Sequence, residues 1–302
     1  MYGDFHEMQQ RFDDVTSARR GSPVAQPIDP PQLAIAIDDP GRLRTAGAAP
    51  VLADGVIAGE ARATHLYFGS EFCEHLFPSR AAILRAAEVA AQRGMTLVLT
   101  TPAANDALVA RIEAAASALP RDAEVVVNDW GVARRLRAAQ PERSLIAGRQ
   151  LLKMIKDPRL PSPAWLTPFA SGYAGAPFRR ILQRLRFTRV ELDVPPFATA
   201  NVFDIDGFAV SAWVPYGYVA KGRICKVGSM HRERPTKFSP GGACRRECRR
   251  VIEVDADPAQ RAAASLTRVG GTLLYRHGAP QAALVRAGIA AGRIDRLVVC
   301  DA

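Results

Sequence analysis

The sequence predicts an α/β fold organised as a (β/α) barrel-like parallel sheet, with a Cys-rich irregular segment near the strand C-terminal ends. Three observations predict it. Short apolar runs alternate with longer stretches of helical spacing from about residue 33 onward. Nearly every run stops at Gly, Asp or Pro, as strands do where they enter turns. About eight such runs fall within about 270 residues, which suits a closed or nearly closed barrel better than an open doubly wound sheet. Neither a dinucleotide glycine fingerprint nor a P-loop is present.

The elements follow in order. Residues 1–30 are expected to be a disordered polar tail, because Ser17 to Pro31 is rich in Arg, Gly, Ser and Pro and has no helical or strand period. Residues 31–302 are expected to form a single α/β barrel-like domain. Leu33 to Ile37 is a strand ending at Asp38-Asp39-Pro40-Gly41, and His65 to Phe68 is a strand ending at Gly69. Ser79 caps a helix running to Arg93. Thr96 to Thr100 is a strand, Ala103 to Leu119 a helix closed by Pro120, and Glu124 to Val127 a strand ending at Asn128-Asp129-Trp130-Gly131. Val132 to Gln140 is a helix, Ser144 to Ala147 a strand, Pro177 to Leu185 a helix and Thr188 to Leu192 a strand before Asp193. Phe208 to Trp213, Leu273 to Tyr275 and Leu297 to Val299 are the later strands.

Composition narrows the partners. Of 302 residues 48% are hydrophobic, enough for a sizeable core, and the net charge is +10. That balance favours anionic partners, RNA among them, although an Arg-rich and Ala-rich chain also reflects codon bias. The first residues contain no apolar h-region, and no apolar run reaches 18 residues, so a cytoplasmic protein without a membrane span is expected. In that compartment five cysteines read as a metal site sooner than as a disulfide framework.

Three cysteines share the segment 222–250. Cys244 and Cys248 are close enough for one turn to bring both sulfurs to one centre, and the Pro- and Gly-containing loop from Cys225 can fold back over it. A cubane needs a fourth thiolate, and Cys73 supplies it best because it lies just past the strand His65 to Phe68, on the face where strand ends gather. A [4Fe-4S] cluster on Cys73, Cys225, Cys244 and Cys248 is therefore the expected cofactor. Zinc on the same four residues remains open, because it too takes four thiolates. Cys300 lies in the apolar run Leu297 to Cys300 and reads as a core thiol. Basic residues crowd the segment, Arg223, Lys226, Arg232, Arg245 and Arg249 among them. They suit an anionic centre, an RNA-facing patch or a solvated surface loop.

An ordered set of short motifs carries a resemblance. Leu66-Tyr-Phe-Gly69 with Cys73, Asn128-Asp129-Trp130-Gly131, Ala147-Gly148, Pro215-Tyr-Gly-Tyr218 leading to Cys225, and Cys244-Arg-Arg-Glu-Cys248 occur in that order. The chain thereby resembles the collagenase-like peptidase family, class U family 32, and within it the UbiV-like branch of anaerobic ubiquinone biosynthesis. The resemblance implies a [4Fe-4S] protein supporting oxygen-independent hydroxylation, as one half of a heterodimer with a UbiU-like paralogue and acting on an aromatic quinone precursor. An iron–sulfur enzyme hydroxylating RNA bases and a zinc-stabilised binding module are the alternatives. Peptidase-type members carry an acidic residue and a His where this chain has Ser211 to Tyr218 without either, so an active peptidase is not expected. No Ser-His-Asp or Cys-His arrangement stands out. His75 and His231 read as surface or supporting residues. Asp129 and Asp193, at strand ends, are the catalytic candidates.

Overall fold

The computed structural model describes residues 30–47, 56–57, 61–160, 164, 173, 175–237, 239, 242–250, 253–255 and 266–300. The expected disordered tail at residues 1–30 lies outside the described residues, apart from Pro30.

Eight parallel strands close into a barrel. They are β1 (Gln32–Ile37), β2 (His65–Gly69), β3 (Thr96–Thr100), β4 (Glu124–Val127), β5 (Leu145–Ala147), β6 (Arg189–Leu192), β7 (Ala209–Val214) and β12 (Arg296–Cys300). The order around the barrel is β1-β12-β7-β6-β5-β4-β3-β2. Closure is made by β12, which pairs with β1 from Gln32↔Arg296 to Ala36↔Cys300 and with β7 from Arg296↔Ser211 to Val299↔Val214. Because every strand runs the same way, all eight C-terminal ends open on one rim.

The strands are apolar on both faces for two different reasons. Leu66, Phe68, Leu97, Leu99, Val125, Val127, Val190 and Leu192 pack outward against the helices, in the main core. Alternate residues Ala34, Tyr67, Val98, Val126, Ile146, Trp213 and Val298 fill the barrel interior. The helices are α1 (Arg80–Gln92), α2 (Asp106–Ser117), α3 (Trp130–Ala139), α4 (Ala176–Arg184) and α5 (Ala279–Ala290). In α1, Ala82, Ile83, Ala86 and Ala90 form the buried stripe, and Ser79 caps the start by accepting from Ala82 N at 3.3 Å. Among the described residues no helix is long and apolar enough to cross a membrane.

One part of the architecture departs from the expected parallel sheet. Between β7 and α5 the chain makes a second, antiparallel sheet in the order β8-β11-β10-β9. Its strands are β8 (Tyr216–Lys221), β9 (Glu253–Asp255), β10 (Leu266–Val269) and β11 (Thr272–Arg276). The run Leu273 to Tyr275 is thus a strand, but it pairs with β8 and β10 instead of joining the barrel. The two-residue connection Gly270-Gly271 makes this possible, with Gly270 at φ +60° as a tight hairpin requires. Arg189, Glu124, His65 and Arg296 point into the lower barrel, where Arg296 Nη2 lies 2.8 Å from His65 Nε2 and its Nη1 bonds both Tyr67 and Glu124.

Candidate functional site: a thiol-lined cavity at the barrel mouth

The open rim carries a cavity of about 420 Å³. Its floor belongs to the barrel, through Tyr67, Trp213 and Arg149. Its roof belongs to the Cys-bearing segment and to the Gly270-Gly271 hairpin. Cys73, Cys225, Cys244, Cys248 and Cys300 all line it.

Each thiol arrives by a short local device. Cys73 follows β2 in a turn where its N–H donates to Ser70 Oγ at 3.2 Å. After Cys225 the chain folds back, Gly228 N–H donating to Cys225 Sγ at 3.1 Å and Ser229 Oγ to the Cys225 carbonyl at 2.6 Å. Arg246 N–H donates to Cys244 Sγ at 3.3 Å, and Arg246 itself is left-handed, at φ +60°. Cys300 ends β12, with its thiol 3.6 Å from the Val214 carbonyl. Two ion pairs tie these pieces to the barrel rim: Arg223 with Glu74 at 3.2 Å, and Arg249 with Asp39 at 3.4 Å. Exposed pairs of this kind are worth roughly 0–1 kcal/mol each.

Glycine keeps the space between sulfurs open. A Cβ on Gly228 would lie 3.3 Å from both Cys225 Sγ and Cys244 Sγ, and one on Gly270 would lie 3.6 Å from both Cys225 Sγ and Cys248 Sγ. Burial pushes the Cys248 and Cys300 thiols up to about 11 and raises Cys73 as well, so all three are protonated at neutral pH.

The expected cofactor does not survive this geometry. Among the described residues no group of three or more His, Cys, Asp or Glu side chains is placed to hold a metal ion. A metal centre needs its donors converged at bonding distance, about 2.3 Å for sulfur on zinc. The assignment of Cys73, Cys225, Cys244 and Cys248 to a [4Fe-4S] cluster is corrected accordingly. With it go the oxygen-independent hydroxylation in ubiquinone biosynthesis, the iron–sulfur RNA-hydroxylating alternative and the zinc-stabilised module, each of which required that centre. Cys300 packs against the barrel-interior core as expected, and it also lines the cavity with the other four.

Below the thiols lies a buried ionic network that sequence reasoning did not find. Arg149, just past β5, donates Nε to Glu71 Oε1 and Nη2 to Glu71 Oε2, both at 2.8 Å. Its Nη1 reaches Asp193 Oδ1 at 2.7 Å and the Tyr216 carbonyl at 3.1 Å. Lys156 Nζ donates to the other Asp193 oxygen at 2.6 Å. The guanidinium also stacks on Trp213, 4.1 Å from the ring centroid. Burial alone would raise the Asp193 carboxyl, but Lys156 and Arg149 outweigh it and hold Asp193 below the usual carboxylate range. Burial lowers Lys156 to about 8, against the pull of Asp193.

Glu191, on β6, lies wholly inside the barrel. Burial, with the charge of Glu71, pushes it up to about 8. Its Oε2 accepts from Trp213 Nε1 at 3.1 Å. The signal in the sequence for this layer is a charged residue at every second position along and just past β6, namely Arg189, Glu191 and Asp193.

The two catalytic candidates separate. Asp193 is fully buried and forms part of the network under the cavity. Asp129 caps α3, accepting from Gly131 N at 2.8 Å and Val132 N at 3.1 Å, and it is not among the cavity residues. His75 lines the cavity, and His231 is bonded to Glu247.

No family model matches the chain, and no curated protein matches it. Among solved structures, a glycoside hydrolase family 18 N-acetylglucosaminidase from Paenibacillus barengoltzii superposes with a TM-score of 0.36 at 11% identity, covering 89% of this chain and 94% of that one. A likeness of that size carries no argument about what this chain does.

Proposed function

We propose that the chain is a barrel protein that binds a small aromatic acid in the thiol-lined cavity at its C-terminal mouth. The observation that carries the reading is the lining of that cavity. Six basic side chains, Arg42, Arg149, Lys221, Arg223, Arg232 and Arg249, border it against four acidic ones, Asp38, Asp39, Glu71 and Glu74. Tyr67, Phe72, Trp213 and Tyr216 supply apolar and aromatic wall. A cavity of about 420 Å³ suits a ligand of one ring with substituents. The excess positive charge favours a carboxylate, and Arg and Lys at the rim are the groups that recognise one.

The network beneath is internally neutral, since Arg149 and Lys156 balance Glu71 and Asp193. The ligand's charge is therefore met at the rim, by Lys221 and Arg223. Burial lowers Lys221, and the neighbouring Arg223 lowers it further, which a bound carboxylate relieves.

The proposal includes kinship with the collagenase-like peptidase family and the absence of peptidase activity. What supports the kinship is that Cys73 and Arg149 fall just past barrel strand ends and border one cavity, with Tyr216 and Cys225 beside them. Free thiols fit a reducing compartment such as the cytoplasm.

Calorimetric titration of the reduced chain with 4-hydroxybenzoate tests the reading. Saturable binding is expected, much weaker for phenol, which lacks the carboxylate, and weakened by Lys221→Ala and Arg223→Ala. Equal binding of phenol, or no heat with any aromatic acid, overturns it. Cleavage of casein by the purified chain would overturn the non-peptidase part.

A further inference from the structure

Two sulfurs of the cavity wall share one close point. Cys225 Sγ and Cys244 Sγ each lie 3.3 Å from where a Cβ of residue 228 would stand. Both accept a backbone N–H, from Gly228 at 3.1 Å and from Arg246 at 3.3 Å. An N–H aimed at sulfur fixes its orientation toward the cavity. Both side chains are partly exposed to the cavity. Neither residue sits in a barrel strand. Cys225 opens a turn, and Cys244 lies in the irregular stretch before Glu247, so each sulfur can move toward the other without displacing the barrel.

We propose that Cys225 and Cys244 are a reversible dithiol–disulfide pair, a modification site for hydrogen peroxide in the wall of the cavity. The step balances as follows. The Cys225 thiolate attacks one peroxide oxygen, the O–O bond breaks, and a sulfenic acid forms as the other oxygen leaves as water after taking a proton. The Cys244 thiolate then attacks the sulfenic sulfur. The S–S bond forms, the S–O bond breaks, and that oxygen leaves as a second water with a proton. Two thiols have lost two electrons and the peroxide has gained them. A dithiol reductant reverses the step by exchange. The pair stands whether or not the cavity takes an aromatic acid, because it rests on the sulfurs and their donors alone.

Cys248 is the competing partner, since its sulfur and that of Cys225 share a second point at 3.6 Å, beside Gly270. It is placed less well. No backbone N–H donates to it within the described residues, and burial keeps it protonated.

The test is peptide mapping of the full chain after a brief pulse of hydrogen peroxide, under non-reducing conditions. Trypsin cuts between the two cysteines, at Lys226 and at Arg232, so a cross-link joins two separate peptides. The expected result is one dominant linked pair carrying Cys225 and Cys244. Free thiols should fall from five to three and return to five on treatment with dithiothreitol. Cys300→Ser should keep the link, while Cys225→Ser and Cys244→Ser should each abolish it. The wild-type map decides the matter even where a variant folds poorly. A dominant link between other cysteines overturns the proposal. So does over-oxidation of Cys225 and Cys244 to sulfinic or sulfonic acids with no link between them.

Discussion

Arg149 grips Glu71 with two parallel hydrogen bonds of 2.8 Å although 78 residues separate them in the chain, and neither side chain is more than 6% exposed. The fork joins the loop after β2 to the loop after β5, three strands away around the barrel mouth. Asp193 completes the arrangement from the end of β6. Three loops are thereby fixed under the thiols by one cation.

The first prediction concerns that cation. Arg149→Ala leaves Glu71 unpaired and Asp193 with Lys156 alone, in surroundings that exclude water. Breaking a buried pair by removing one partner costs about 3–5 kcal/mol. Arg149→Lys restores only part of this, because an ammonium cannot make the two-pronged contact. Urea denaturation measures both. A loss below about 1 kcal/mol for the alanine variant would mean that the network is solvated and not buried as described.

A second prediction separates the two aspartates. Asp129 satisfies two N–H groups at the start of α3 and does nothing at the cavity. Asp129→Ala should lower stability by about 0.5–2 kcal/mol, the usual cost of losing an N-cap, and leave 4-hydroxybenzoate binding unchanged. Thermal melts with parallel titrations check both halves. Weakened binding at unchanged stability would put Asp129 back among the site residues.

These cases show what was legible in the sequence. The barrel strands could be read because each is short, apolar and stopped by a turn residue, as in His65 to Gly69 or Glu124 to Val127. Ser79 announced its helix in the same local way. The second sheet was not legible: β8 reads Tyr-Gly-Tyr-Val-Ala-Lys, β9 has three residues, and their pairing is decided by distant partners. The ionic network was hidden for a related reason. Arg149, Glu71 and Asp193 meet across separations of 78 and 44 residues, and no local pattern marks such a meeting. The spacing of the cysteines and their places after strand ends were enough to assign them to one cavity. They did not fix the distances a metal centre demands, and there the expectation failed.

A third prediction follows from the lower barrel. His65 Nε2 faces the Arg296 guanidinium at 2.8 Å, and burial, then that charge, lowers His65 to about 4. The ring is neutral in the folded chain. An unfolded histidine takes up its proton near pH 6.5, so the stability this group contributes is present above that pH and is lost as pH falls from 6.5 towards 4. The slope is at most about 1.4 kcal/mol per pH unit for one histidine. His277, also lowered to about 4 chiefly by burial, adds to it. Urea midpoints between pH 7 and pH 4 should fall, and His65→Gln, which keeps an acceptor for Arg296, should flatten the curve. A parallel curve for that variant would remove His65 from the explanation.

The last prediction contrasts two glycines that border the cavity for different reasons. Gly69 ends β2 at φ +145°, and a Cβ there would collide with the backbone carbonyl of Thr100. The neighbour is part of β3 and cannot give way. Gly69→Ala should therefore destabilise the chain by more than about 2 kcal/mol, combining a forbidden backbone conformation with a backbone clash. Gly228 meets the side chains of Cys225 and Cys244, their sulfurs at 3.3 Å, and its backbone is not in the left-handed region. Gly228→Ala should stay within about 1 kcal/mol of the parent, since the thiols can yield by a few tenths of an ångström. It should still weaken 4-hydroxybenzoate several-fold, because the new methyl group occupies the space between Cys225 and Cys244. Chemical denaturation and calorimetry on both variants resolve the two effects. If Gly228→Ala binds as tightly as the parent, the ligand does not reach the sulfurs, and the thiol wall is not part of its site.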